Sequence, residues 1–281
     1  MSGWRRLGLI AGGGDLPARV AEACAAEGRL GLVVALKGFA DPTRYDGAIE
    51  RGLGQFGKVI EDLRAAGCDA VCFAGIVTRP DFRTLVPDWG GAKLLPKAVA
   101  AAVKGDDALL RVIVGGFEDA GFHVVGAQEV CEGLLAAAGP VGALSPDDAQ
   151  LADARKALEI AAATGALDIG QGAVVCEGLV LAVEAQEGTD LMLARVAALP
   201  EALRGTPQAR RGALAKRPKP QQERRIDLPV IGVSTVQGAA KAGLAGIAVP
   251  AGGALILGRE AVAEAADAAG LYVIGLPVEE G

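Results

Sequence analysis

The sequence predicts an α/β protein in two parts: a parallel-sheet domain followed by a distinct α/β domain with a mixed sheet. Three observations carry that expectation. Short apolar runs alternate with helical spacing through the first half, which is the pattern of strands covered by helices on both faces. The second half contains two apolar runs joined by Glu177-Gly178, a hairpin signal that requires an antiparallel pair. The 41 glycines are spread among apolar runs, as tight turns and not as low-complexity sequence.

The elements follow in order. Leu7-Gly-Leu-Ile-Ala11 reads as a strand, Pro17 to Glu27 as a helix and Leu32-Val-Val-Ala-Leu36 as the next strand. A helix from about Lys58 to Ala66 leads to the strand Ala70-Val-Cys-Phe-Ala74. Leu109 to Ala120 has helical spacing, and His123 to Gly126 is a strand again. The densest breakers lie between Gly139-Pro140 and Ser145-Pro146, so the expected domains are residues 1–138 and 139–281. Ser145 reads as an N-cap and Pro146 as the first residue of a helix reaching about Ala163. Ala173-Val-Val-Cys176 and Leu179-Val-Leu-Ala-Val183 form the hairpin. Arg210 to Arg225 is basic and carries Pro218 and Pro220, so it reads as an irregular loop. Strands at Val230–Val233, Val249's run from Gly246, Ala254–Leu257 and Leu271–Ile274 complete the chain, the last after a helix from about Arg259 to Ala269.

Bulk properties exclude several function classes. The net charge of −6 gives no support for sequence-independent nucleic-acid binding. Five cysteines with no Cys-x-x-Cys read as reduced, buried thiols. One histidine, His123, excludes a His-rich zinc site. No signal peptide is visible, and no apolar run approaches the roughly 18 residues of a membrane span, so a soluble, cytoplasmic protein is expected, one able to touch a membrane surface.

Two loops of the first half are candidate phosphate or nucleotide sites. Gly12-Gly13-Gly14-Asp15 sits between a strand and a helix, where backbone can approach a phosphate at a helix N-terminus. This gives a Rossmann-like expectation, although Pro17 replaces the third glycine and no acid follows the second strand, which disfavours NAD. The alternative is a tight turn without a ligand. Thr78 and Arg79, in the loop after Ala74, can bind a phosphate or base, or can simply be solvated.

The second half holds the chemistry. Glu184, Glu187 and Asp190 crowd a strand-to-helix junction with Gly188 and Thr189, and carboxylates beside a buried strand need a cation. Lys216, Lys219, Arg224 and Arg225 follow on a Pro-stiffened segment, with Gln171, Gln221 and Asp227 nearby in chemistry. Mg²⁺ takes one or two carboxylates plus substrate phosphate, and Asp190, Glu187 and Asp227 are of the right type. The cations can neutralise phosphate charge. The bland alternatives are a helix cap at Asp190 and a solvated basic loop.

At these residues the chain resembles the UDP-2,3-diacylglucosamine pyrophosphatases of the LpxI type. The resemblance rests on Leu9-Ile-Ala-Gly-Gly-Gly-Asp-Leu-Pro17, Gly105-Asp-Asp-Ala-Leu-Leu-Arg111, Asp168-Ile-Gly-Gln171 and Ala182-Val-Glu-Ala-Gln-Glu-Gly-Thr-Asp190. Lys219-Pro-Gln-Gln222, Arg225-Ile-Asp-Leu-Pro229 and Ala242-Gly-Leu-Ala-Gly-Ile247 continue it over nearly the whole chain. Glu223 departs from the Asp expected after that Lys-Pro motif. The resemblance implies Mg²⁺-dependent hydrolysis of UDP-2,3-diacylglucosamine to UMP and 2,3-diacylglucosamine 1-phosphate (lipid X) in lipid A synthesis. It also implies two domains and a substrate held by both. The expected machinery is Asp227 on the metal with Asp190 or Glu187 as partner, one of these acids orienting or deprotonating the water, and Lys216, Lys219 and Arg225 balancing charge at the reacting phosphates. Gly12, Gly13, Gly14, Asp15, Thr78, Arg79, Gln171, Gly188, Thr189 and Gln221 are the expected substrate contacts. A non-catalytic carrier of sugar nucleotide or lipid precursor is the competing expectation. A homo-oligomer and peripheral contact with the inner membrane both stay open.

Overall fold

The computed structural model describes residues 3–277. The chain divides into two compact units, Met1–Glu132 with Glu223–Ile226, and Gly133–Gln222 with Asp227–Gly281. The short excursion at 223–226 was not legible from the sequence.

The first unit is built on β1 (Leu7–Ala11), α1 (Leu16–Ala26), β2 (Leu30–Leu36) and β3 (Ile49–Arg51). α2 (Phe56–Ala65), β4 (Ala70–Ala74), α3 (Trp89–Ala102), α4 (Asp106–Asp119), β5 (His123–Val125) and α5 (Ala127–Val130) follow. Its five strands are all parallel, in the order β3-β2-β1-β4-β5. Strand order turns back at β1, as it does in nucleotide-binding doubly wound sheets. β1 is buried at every residue, as its continuous apolar run requires of a central parallel strand. Phe56, Phe73 and Phe122 each meet Phe117 edge to face, at centroid distances of 5.0, 5.1 and 6.3 Å, and seal the helices α2 and α4 against the sheet. All five cysteines are buried and unpaired. Burial pushes the thiols of Cys24, Cys68 and Cys131 up to about 11, so they stay protonated.

Asp88 ties two helices of this unit together. Its carboxylate caps α3 by accepting from Gly91 N at 2.7 Å, and it also accepts from Gly57 N at 3.1 Å and Lys58 N at 2.7 Å in the first turn of α2.

The second unit contains β6 (Gly139–Pro140), α6 (Asp148–Ala166), β7 (Gly172–Cys176), β8 (Leu179–Val183), α7 (Gly188–Ala197) and β9 (Ala213–Lys216). β10 (Val230–Ile231), α8 (Val233–Lys241), β11 (Gly246–Pro250), β12 (Leu255–Ile256), α9 (Arg259–Ala269) and β13 (Tyr272–Leu276) complete it. Its main sheet is mixed, in the order β6-β13-β11-β9-β7-β8, and β10 pairs β12 separately. One face packs on α7, α8 and α9 through residues such as Val174, Leu214, Ile247 and Val236. The other packs on α6 through Ala154, Ala157, Val175 and Ala215.

Three local expectations change. The cap of α6 is Asp147, whose side chain accepts from Gln150 N at 2.8 Å while Gln150 reaches back to it, so the helix begins after Ser145-Pro146. The expected strand at Val230–Val233 is shared between β10 and the start of α8. The supposed irregular loop from Arg210 to Arg225 contains β9, a fully buried strand that lies between β7 and β11. The hairpin of β7 and β8 is present, and its pairing slips by one residue between Val174 and Val175, leaving Leu181 as an extra residue in β8.

Candidate active site

In the second unit, Glu184 and two of the predicted acids, Asp190 and Asp227, act on one buried lysine. Lys216 ends β9 and pairs in register with Gly172 of β7. On the other side of Gly172 lies Glu184, whose N–H donates to Gly172 O at 2.8 Å. Directly opposed residues in antiparallel strands present side chains on the same face. Glu184 and Lys216 therefore rise over a glycine that puts nothing between them. The vacancy is required: a Cβ on Gly172 would stand 2.5 Å from Glu184 Oε2.

Both charged groups are buried, Lys216 at 7% exposure and Glu184 at 6%. Lys216 Nζ donates to Val230 O at 3.3 Å. Burial pushes its ammonium below the ordinary lysine value, and the negative charges of Glu184, Asp190 and Asp227 pull it back in part. Glu184 Oε1 accepts from Thr189 Oγ1 at 2.9 Å, which fixes the first turn of α7. Gly188, Thr189 and Asp190 form that turn, with Asp190 exposed. Asp227 is half-buried.

A second ion pair lies on the same segments. Lys219 Nζ meets Asp168 Oδ1 at 2.5 Å, and Asp168 sits at φ 57°, a strained backbone for a residue other than glycine. Gln222 Oε1 accepts from Lys219 N at 2.6 Å, and Gln221 Nε2 donates to Gly165 O at 3.1 Å. Four buried side-chain polar atoms lack a partner among the described residues, and three of them, Gln171 Oε1, Glu184 Oε2 and Gln222 Nε2, belong to these segments. Folded proteins rarely leave such groups unsatisfied, so these segments hold hydrogen-bonding capacity that a ligand or water would meet.

Other expected residues stand apart from Lys216. Glu187 is held by Arg195 at 2.5 Å, and that hydrogen bond keeps its carboxyl below the usual range. Arg225 belongs to the first unit, where its guanidinium meets Glu223 at 2.9 and 2.8 Å and Glu118 at 2.7 Å. Gly12 N and Gly13 N donate to Ala74 O and Ile76 O at 2.8 and 2.9 Å, stitching the glycine turn to the loop after β4. Gly14, at φ 86°, and Asp15 are exposed at the start of α1, where Arg44 reaches Gly14 O and Asp15 Oδ1. Thr78 is exposed, and Arg79 donates to Ala102 O at 2.5 Å beside Asp106.

Among the described residues, no group of three or more His, Cys, Asp or Glu can hold a metal alone. Mg²⁺ does not need such a cage, because substrate phosphate and water complete its shell. Asp190 and Asp227 carry hard oxygens of the kind Mg²⁺ takes, their charges act on Lys216, and Glu184 Oε2 beside them has no partner among the described residues.

Profiles of the LpxI N-terminal and C-terminal domains match residues 6–134 and 137–274. The UDP-2,3-diacylglucosamine pyrophosphatase LpxI of Caulobacter vibrioides is 57% identical over 278 residues, covering 98% of this chain and 99% of that protein. The chain belongs to the LpxI family. Both LpxI domains thus lie within it, and the Lys216 cluster falls in the LpxI C-terminal domain. Two residues on these segments are hard to single out from the sequence. Asp168 stands out only as part of a motif, and Gln222 carries no charge to attract notice. The Gly170-x-Gly172 spacing is the signal that could have found the Glu184–Lys216 row, since alternate glycines clear one face of a strand.

Proposed function

We propose that this protein hydrolyses the pyrophosphate of UDP-2,3-diacylglucosamine to UMP and lipid X, in the cytoplasm, as a step of lipid A synthesis. The observation that carries the reading is the Lys216-centred cluster of Glu184, Asp190 and Asp227 in a chain of the LpxI family. The full-length likeness to the Caulobacter pyrophosphatase supplies the substrate.

The chain's residues divide the work as follows. Lys216 binds a pyrophosphate oxygen and meets the negative charge that builds up in the transition state, in a buried site where such an interaction is worth more than in water. Asp227 and Asp190 would hold Mg²⁺, which when bound neutralises phosphate charge and polarises the reacting P–O bond. The exposed carboxylate of Asp190 orients the attacking water. Glu184 aligns Lys216 from below and locks Thr189, keeping Gly188 and Asp190 in register. Lys219, set by Asp168, contacts the leaving phosphate, with Gln171 and Gln221 on the same segments binding substrate. In the first unit, Gly14 and Asp15 at the start of α1, with Thr78, Arg79 and Arg225, are the groups of the right chemistry to bind phosphate or nucleotide. Gly12 and Gly13 shape that turn, their amides being spent on the sheet. The lipid substrate makes peripheral contact with the inner membrane part of this reading.

Asp227→Ala should fold and bind substrate but lose hydrolysis by several orders of magnitude, read as UMP released. Near-normal turnover in that variant removes Asp227 from the mechanism, and activity that survives exhaustive chelation removes Mg²⁺. A carrier without chemistry would release no UMP from either protein.

A further inference from the structure

The helix α3 shows an outer face that the proposed chemistry does not use. Val86 just before it is 82% exposed, Trp89 at its start 78% and Val103 just after it 84%. Its inner side is conventional: Gly91, Ala98, Ala101 and Ala102 are buried. At 100° per residue, positions 89, 93, 97, 100, 103 and 104 share one side. Trp89, Lys93, Lys97, Val103 and Lys104 are exposed there. Lys93 Nζ lies 5.2 Å from the Trp89 ring centroid, within cation–π reach.

Charge separates this face from an ordinary scatter of exposed apolar residues. From Trp89 to Lys104 there are three lysines and no acid, in a chain whose net charge is −6. Tryptophan and aliphatic side chains interleaved with lysine are what an interfacial helix needs: apolar groups enter the headgroup boundary while ammonium groups meet anionic lipid. A second copy of the chain fits poorly, because a two-fold contact would set the lysines against their own copies. The helix is also held firmly, with its cap, Asp88, anchored to α2.

We infer that the outer face of α3 docks the N-terminal unit on an anionic lipid surface through Trp89, Val86 and Val103, with Lys93, Lys97 and Lys104 on the headgroups. This rests on the proposed function for its purpose, delivery of a lipid substrate, and names the surface that serves it.

The chain has two tryptophans, and Trp4 is buried at 5% exposure, so Trp89 reports the face and Trp4 serves as an internal reference. Full-length protein, without substrate, is mixed with vesicles of phosphatidylcholine alone or in equal mixture with phosphatidylglycerol. The expected result is a blue shift of emission and quenching by brominated acyl chains, with the anionic vesicles only, reversed by salt. Replacing Lys93, Lys97 and Lys104 by Gln should weaken co-sedimentation roughly a hundredfold. Trp89→Ser should abolish the shift, yet hydrolyse detergent-dispersed substrate as the parent does. Unchanged emission with both vesicles overturns the inference, as does equal binding by the triple variant. Concentration-dependent dimerisation lost in Trp89→Ser would also overturn it, assigning the face to a second copy. Since binding is read without substrate and turnover without vesicles, failure of the docking surface and failure of the enzymatic reading give different results.

Discussion

Replacing Lys216 by Met should separate activity from stability. Methionine keeps the unbranched stem in the row over Gly172 and deletes the ammonium. The structure sets the sign of the stability change: burial lowers the Lys216 value below 10.5, so desolvation exceeds the combined pull of Glu184, Asp190 and Asp227. The charged lysine is therefore a net cost to the fold. Replacing a whole buried ion pair by apolar groups is commonly neutral or stabilising, but removing one partner strands the other, so Lys216→Met should stabilise only slightly, with Glu184 left beside no cation. The cost is present while both folded and unfolded lysine are protonated. It fades as pH rises through the lowered folded value toward 10.5, so the gap between variant and parent should close in alkali. Turnover should drop about 10²–10³-fold, the usual loss when one donor to developing charge is removed. Urea denaturation across pH and UMP release measure the two quantities. Destabilisation beyond about 1 kcal/mol would show that the carboxylates outweigh desolvation after all, and near-parental turnover would take Lys216 out of the chemistry.

Asp88→Ala should cost about 2 kcal/mol, since it strips a helix cap and two further backbone hydrogen bonds. Burial raises the Asp88 carboxyl, but its backbone hydrogen bonds outweigh that and hold it below 3.8; its contribution is thus complete above 3.8 and lost as pH falls through the lower folded value. Denaturation midpoints that differ equally at neutral pH and in strong acid would contradict this. Gly170→Ala should be worse for stability than Gly172→Ala. The first Cβ would stand 2.1 Å from the Glu184 backbone oxygen, which cannot yield, and the second 2.5 Å from a carboxylate oxygen that can turn aside. Gly172→Ala should instead spend its effect on kcat, and the reverse ranking in thermal unfolding would refute the assigned row.

The sequence exposed what is local and hid what is made by pairing. β1, its glycine turn and α1 were legible because an apolar run, a breaker and a helical period follow one another. The β7–β8 hairpin announced itself through Glu177-Gly178. β9 stayed hidden because its four residues are flanked by Arg210-Arg211 and Arg217-Pro218, so charge overwhelmed a strand too short for periodicity. Lys216 was consequently expected on a loop and stands at the end of a buried strand. Glu187 and Asp190 looked equivalent in sequence, but α7 turns one to Arg195 and leaves the other exposed near Lys216. The return of residues 223–226 to the first unit left no trace in composition.

The extra residue in β8 has a consequence for how this chemistry is counted out along the chain. Near the turn the paired positions of β7 and β8 sum to 355, as in Cys176 with Leu179; beyond Leu181 they sum to 356, as in Ala173 with Val183. Continued to Gly172, the second count selects Glu184, whereas the first would have selected Val183 and turned the acid to the opposite side of the sheet. A hairpin of the same residues paired without the slip would keep the same composition and would offer Lys216 a hydrocarbon neighbour. The irregularity in the ladder is thus an indexing device: removing Leu181 would erase the bulge yet leave Glu184 opposite Gly172, whereas pairing Leu181 in the ladder would change the partner.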